Sequence, residues 1–290
     1  MESKKFTSAQ LAKAYKTACM TELQALKPGN VHAFADGHGM TIDDFIKSAD
    51  VTAEIITRSD LSLGERIFYA VEATRNAVGQ NTNLGVLLLC APIIDAALTL
   101  SEGQTLQQSL QAALARLTVS DAEYVSRAIV LASPGGLGSV DQYDVREIPS
   151  VSLLEMMRAA QDRDHIAWQY ANNFQDIMTF GIKHYSDAMI KWGNSAWSAT
   201  ALYLAFLAHF PDTHIVRKYG KVFADNLMRE ASEYEQVHFA EENPKLVQKK
   251  LLDWDASLKQ RGINPGTSAD LTVATLLLSE LVHHDAGFFC

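Results

Sequence analysis

Four polar interruptions in an otherwise amphipathic chain hold the residue types that chemistry requires. The first runs from Glu22 to His38 and includes Lys27, Gly29, Asn30 and His32, and the second is Asn81-Thr82-Asn83-Leu84-Gly85. The third, Pro211 to Gly220, crowds Asp212, Thr213, His214, Arg217 and Lys218 together, and the fourth, Asn264 to Asp270, carries Gly266, Thr267 and Ser268. Each sets Pro or Gly beside Asp, Asn, Lys or Arg at the end of a helical pattern. Acids placed this way can hold Mg²⁺, and Lys or Arg can cover phosphates. The competing reading is that each break is only a cap or a turn.

Helices must position these breaks, and the central one follows Asn81-Thr82-Asn83. From Leu84 to Leu98 nearly every residue is apolar, which predicts a helix surrounded by other helices. The run is too short to span a bilayer and is interrupted by Pro92, expected to kink it, and by Asp95. Asn83 or Thr82 is expected to cap it, and its N-terminal amides would suit an anion. Before it, helical spacing predicts helices over 8–26, about 41–58 and 63–78. Thr41 and Asp44 mark the start of the second, and Gly79 ends the third. Glu22 lies near the apolar stripe of the first, and periodicity alone puts it at the solvated edge. Lys27-Pro28-Gly29 cannot continue that helix and reads as a rigid turn carrying a cation.

Helical patterns resume at 104–117 and 120–132, then at 151–162, 164–171, 174–187 and 194–210, and finally at 221–238 and 244–262. A last helix follows Asn264-Pro265-Gly266, with Thr267 or Ser268 expected as its cap and Asp270 in its first turn, where the helix dipole favours a carboxylate. The glycine-rich stretch Ser133 to Asp144 has no helical period and reads as a mobile loop or lid or, equally on composition, as a plain solvent-exposed linker. It lacks the Lys-Ser/Thr ending of a P-loop. No strand pattern, repeat or charged linker appears, so the expectation is all-α: one compact multi-helix domain over 1–290, built around the central buried helix.

Composition narrows the function. The 290 residues are 48% hydrophobic, enough for a sizeable core, and the formal charge of −9 argues against a nucleic-acid-coating or anionic-membrane surface. Any phosphate site must then be a local basic pocket. Three cysteines without ligand spacing and an N-terminus without a signal-peptide core lead to the expectation of a cytoplasmic protein.

In order and spacing the four breaks resemble the motifs of the triphosphoribosyl-dephospho-CoA synthase family. Lys27-Pro28-Gly29-Asn30-Val31 matches its K-P-G-x-V turn, and Asn81 to Gly85 matches N-T-x-x-G. Pro211-Asp212-Thr213-His214-Ile215 matches P-D-[ST]-x-[IL], and Pro265 to Leu271 matches P-G-x-[ST]-A-D-L. The resemblance implies an all-α fold and transfer of the triphosphoribosyl group of ATP to 3′-dephospho-CoA with release of adenine. The bond from C1′ to adenine would break through an oxocarbenium-like state, which needs a carboxylate, a proton for the base and charge cover for the triphosphate. On this basis Glu22 and Asp270 are the carboxylate candidates, His38 or His32 the proton donor, and Asp212 with Asp270 the Mg²⁺ ligands. Lys27, Arg217 and Lys218 would neutralise phosphates, and Gly29, Asn30, Asn81, Thr82, Asn83, Gly85, Thr213, Gly266 and Ser268 would complete substrate binding. The partners implied are ATP and a small-molecule acceptor, with a homodimer left open. Where lyase-pathway members read N-T-H-K-G, this chain has Asn83 and Leu84, and it looks closer to a branch common in archaea and methylotrophic bacteria. Two alternatives follow: a paralogue serving another acceptor in one-carbon, tetrahydromethanopterin-linked coenzyme synthesis, or a non-catalytic nucleotide-binding helical protein.

Overall fold

The computed structural model describes residues 6–133, 138 and 142–284. In chain order the helices are α1 (Ser8–Gln24), α2 (Ile42–Ile56), α3 (Leu63–Val78), α4 (Leu84–Thr99), α5 (Leu106–Ala115), α6 (Val119–Ala132) and α7 (Leu153–Ala160). They continue as α8 (His165–Ala171), a π-helical turn (Asp176–Gly181), α9 (Ile182–Trp192), α10 (Ser195–His209), α11 (Thr213–Tyr219) and α12 (Lys221–Ala240). A 3-10 turn (Pro244–Val247), α13 (Gln248–Gln260) and α14 (Gly266–His284) complete the chain. The fold is all-α, and the only β contacts among the described residues are two isolated bridges in the loop after α1. The segment expected to act as a lid falls largely on 134–137 and 139–141, outside the described residues.

Capping chemistry starts most of the outer helices. Thr7, Thr41, Ser62, Thr105, Thr118 and Ser152 each accept a hydrogen bond from the backbone amide three residues on, and the side chain at that position reaches back to the cap. Asp44 and Asp121 perform the return bond as competently as Glu or Gln do elsewhere. At α4 this device is absent. Asn83 occupies the cap position without a side-chain cap bond, and Asn81 Oδ1 instead accepts from the Leu84 amide at 3.1 Å. Thr82 turns away to Ser48, its hydroxyl 2.6 Å from Ser48 Oγ. The expected cap by Asn83 or Thr82 is therefore supplied from one residue earlier.

α4 is buried on nearly every side, and its helix continues through Pro92. Asp95 does not break it either, because it lies on the one polar flank and pairs with Arg66 at 2.9 Å and Arg116 at 3.1 Å. The centre is shared. α14 packs against α1, α4, α10 and the π-helical turn, and its apolar residues from Leu271 to Leu281 join those of α4 in one core. A second apolar cluster fills the space between α10, α12 and α13, around Tyr203, Leu227 and Trp254. Among the described residues no helix is long and apolar enough to cross a membrane.

Candidate functional site

The turn after α1 is held from behind. Tyr203 donates to the Pro28 carbonyl at 2.7 Å and the Gly29 amide to Asp255 Oδ1 at 2.8 Å. Gly29 has a φ of 85°, and a Cβ there would stand 2.9 Å from Pro265 Cδ, so only glycine lets the first break lie against the fourth. Asn30 Nδ2 then donates to Asn264 Oδ1 at 2.8 Å. Lys27 is fully buried, paired with Glu22 and donating to Asn30 Oδ1 at 3.0 Å. Glu22 is thus no solvated edge residue: it is 5% exposed, and helical periodicity could not foresee a counter-ion delivered by the following turn. Burial disfavours charge on both partners, raising the Glu22 carboxyl and lowering the Lys27 ammonium, and their mutual attraction offsets part of each effect.

The third break is tied to the fourth in the same manner. Asp212 caps α11 through Oδ1, which accepts from the Ile215 amide at 3.2 Å. Its Oδ2 accepts from both the amide and the hydroxyl of Ser268, at 2.8 and 2.9 Å. Thr267 Oγ1 lies 3.1 Å from Thr213 Oγ1 and accepts from the His214 amide at 3.2 Å. Thr267 and Ser268 therefore do not cap α14, as expected from sequence; that helix starts at Gly266, and both side chains clasp α11. Asp270 accordingly lies in the second turn rather than the first.

A cleft of about 670 Å³ opens where these elements meet, at the N-terminal ends of α4, α11 and α14. Glu22, Asn30, His38, Asn81, Thr82, Asn83 and Gly85 line it together with His214, Arg217, Gly266 and Asp270. Lys27, Gly29, His32, Asp212, Thr213, Lys218 and Ser268 do not. His32 is buried beside Asp255, its Nε2 3.4 Å from Oδ2, and Lys218 sits over the Tyr219 ring with its ammonium 3.5 Å from the Gly262 carbonyl. Gly85 lies close against Asp270, since a Cβ at Gly85 would collide with Asp270 Oδ2. The glycine of the second motif in this chain is thereby explained by the acid of the fourth.

Asp270 has no hydrogen-bond donor among the described residues, and its proton affinity is raised well above the ordinary carboxylate range. Loss of water is the main cause, followed by the charges of Asp212 and Glu22, while Arg217 opposes. His38 donates its Nε2 hydrogen to the Gly29 carbonyl at 2.8 Å, which leaves Nδ1 free for a ligand. Burial lowers the His214 pKa, so that imidazole is neutral at neutral pH.

Sequence reasoning did not single out several lining residues. Asp164 caps α8 through Oδ1 and pairs with Arg217 through Oδ2; Arg75 and Arg163 add positive charge at the rim. Arg163 and Asp164 are neighbours at the start of α8 and Arg75 lies in the last turn of α3, and the signal available was only the helical pattern that opens at Asp164. Among the described residues no three His, Cys, Asp or Glu side chains cluster as metal ligands. Asp212, expected to bind Mg²⁺, has both oxygens committed to backbone and hydroxyl donors. Asp270 and Glu22 line one cleft, and the charges of Asp212 and Glu22 add to the raised proton affinity of Asp270.

A family model described as ATP:dephospho-CoA triphosphoribosyl transferase matches residues 8–288. Among solved structures, a candidate triphosphoribosyl-dephospho-CoA synthase from Archaeoglobus fulgidus superimposes with a TM-score of 0.61. It shares 22% identity and covers 82% of this chain and 98% of its own, which is a likeness of fold. Comparison with curated proteins gives no match.

Proposed function

The chain belongs to the ATP:dephospho-CoA triphosphoribosyl transferase family, and from that premise we propose that its cleft transfers the triphosphoribosyl group of ATP to the hydroxyl of a dephospho-CoA-type acceptor, releasing adenine. The observation that carries this reading is the meeting of the second and fourth motifs, where the Asp270 carboxylate lies against the Cα of Gly85 at the mouth of α4.

In the proposed reaction the C1′–N9 bond of ATP breaks, and its electron pair leaves with adenine. His38 supplies the proton for that base through Nδ1. The acceptor oxygen bonds to C1′ and gives its proton to the neutral His214 imidazole. Charge on Asp270 and Glu22 favours the positive character that develops at C1′. Arg75, Arg163 and Arg217 face the phosphates from the rim. Glu22 and Asp270 would hold Mg²⁺, which when bound offsets the charge of the triphosphate, in keeping with the habit of Mg²⁺ to use one or two carboxylates plus phosphate oxygens. A reducing cytosol suits Cys19 and Cys90, the buried free thiols among the described residues.

Incubation of the protein with ATP, Mg²⁺ and dephospho-CoA, followed by mass spectrometry, tests the proposal. Free adenine and a dephospho-CoA heavier by one triphosphoribosyl group are expected, both lost with a chelator. Absence of adenine overturns the reaction. Adenine release that requires a different acceptor redirects it toward the alternative suggested by Leu84, an apolar residue that lines the cleft where lyase-pathway members carry lysine.

A further inference from the structure

Of the three arginines at the rim, Arg217 alone pairs with a carboxylate among the described residues; Arg163 rests its Nη1 on the Ala159 carbonyl at 2.9 Å. The partner is Asp164, which lines the cleft as well. Its two oxygens do different work. Oδ1 accepts from the Ile166 and Ala167 amides at 2.9 and 3.1 Å, which fixes the carboxylate at the start of α8. Oδ2 accepts from Arg217 Nη1, across the gap between α8 and α11. The two side chains are 26% and 28% exposed, so a dissolved anion can reach the pair. The Arg66–Asp95 pair differs: Arg66 is 4% exposed and also donates to the Arg58 carbonyl at 2.6 Å, so it serves packing. Nor does α8 depend on Arg217 to stay beside α11, because the His165 amide donates to Thr213 Oγ1 at 3.3 Å.

A guanidinium at the rim attracts an anion. Once paired with a carboxylate it presents little net field, and that carboxylate repels the same anion. Asp164 cannot swing aside, since its other oxygen is held by two amides, whereas Arg217 stands on a long side chain with several rotatable bonds. We infer that the Asp164–Arg217 pair is an autoinhibitory contact: an anionic ligand must draw Arg217 away from Asp164, which sets the affinity of the cleft for anions below what its arginines alone would give. This regulation rests on the transferase reading above in one respect, that the anion is the triphosphate of ATP. The opposite arrangement, with Asp164 aiming Arg217 at the ligand, predicts an effect of opposite sign.

Asp164→Asn separates the two roles of this residue, because asparagine caps a helix about as well as aspartate and carries no charge. Calorimetric titration with inorganic tripolyphosphate, in a chelator that keeps metal ions out, should show about fivefold tighter binding to the variant than to wild type, the scale of one ion pair. ATP should gain by a similar factor. Arg217→Gln should weaken both ligands, and Asp164→Asn added to it should change their affinity by less than about twofold, since nothing remains to release. If the asparagine variant does not fold, Asp164→Ser, which keeps a capping oxygen, takes its place. Weaker binding to the Asp164 variant overturns the inference and makes Asp164 an aiming residue; unchanged binding overturns it and makes the pair inert. A gain that persists in the Arg217→Gln background also overturns it, by assigning the effect to the carboxylate's charge alone, as does tripolyphosphate binding to neither protein. A tripolyphosphate gain without adenine release keeps the contact while overturning the transfer reaction, and adenine release without the gain does the reverse.

Discussion

Asp255 and Asp270 are both shielded carboxylates, and their surroundings push them in opposite directions. Asp255 accepts from the Gly29 amide and from Lys259 at 3.0 Å, with His32 beside it, and these partners outweigh burial to hold its carboxyl below the usual range. Asp270 has Asp212 and Glu22 as neighbouring charges and no donor among the described residues, and its carboxyl is raised. The first acid belongs to a frame that is complete without a ligand. The second is held in an unfavourable ionisation environment that a substrate or cation would relieve, which is the electrostatic mark of a site rather than of a scaffold. Asp212 belongs with Asp255: its oxygens are spent on Ile215 and Ser268.

Replacing the strained acid should have the largest effect on turnover and the opposite effect on stability. Asp270→Asn is expected to lower adenine release by about 10²–10³-fold, the usual loss when a preorganised charge at a reacting centre is removed. The same variant should melt at a higher temperature than wild type at neutral pH. A carboxyl whose folded pKa is raised costs no stability below its unfolded pKa, about 3.9, and costs progressively more as pH rises from there to the folded value. The gap between the melting curves should therefore open above about pH 4. An unchanged rate would place Asp270 in the frame and end the contrast. Gly85→Ala tests the same acid by displacement: with its Cβ in the way of Oδ2, the carboxylate must move, and a loss of about 10²-fold in turnover is expected with little change in acceptor specificity.

The frame acid should behave in reverse. Asp255→Asn leaves Lys259 and His32 without their anion and is expected to cost ~1–3 kcal/mol of stability at neutral pH, read by urea denaturation. Its folded pKa is depressed, so the wild-type contribution is present above the unfolded pKa and is lost as pH falls through the lower, folded value. Wild type and variant should then converge on acidification, whereas wild type and Asp270→Asn converge for the opposite reason, by relief of a cost.

Much of the frame was legible because it is written in local chemistry. Thr41 with Asp44 starts α2, Gly79 at a φ of 81° ends α3, and the apolar run after Asn83 makes a buried helix. The convergence of the four breaks was readable from their shared form. Which member of each break faces the cleft was not. Lys27 carries the charge expected of a phosphate ligand, yet the turn folds it inward onto Glu22, and Asp212 is consumed by Ser268, 56 residues away along the chain. Those outcomes depend on long-range packing that spacing does not encode. Asp164, Arg75 and Arg163 reach the cleft from helix ends with no motif around them.

The smallest effects divide two neighbouring asparagines between frame and site. Asn81 Oδ1 satisfies the Leu84 amide, so Asn81→Ala should cost about 1 kcal/mol, the ordinary worth of a helix cap. Asn83 is 7% exposed and lines the cleft, and its Nδ2 has no partner among the described residues. Removing a buried donor that nothing satisfies gives up no internal hydrogen bond. Asn83→Ala should then leave stability within about 0.5 kcal/mol of wild type while raising the KM for ATP several-fold. A stability loss at Asn83 equal to that at Asn81, with KM unchanged, would make both residues caps and return the mouth of α4 to the frame.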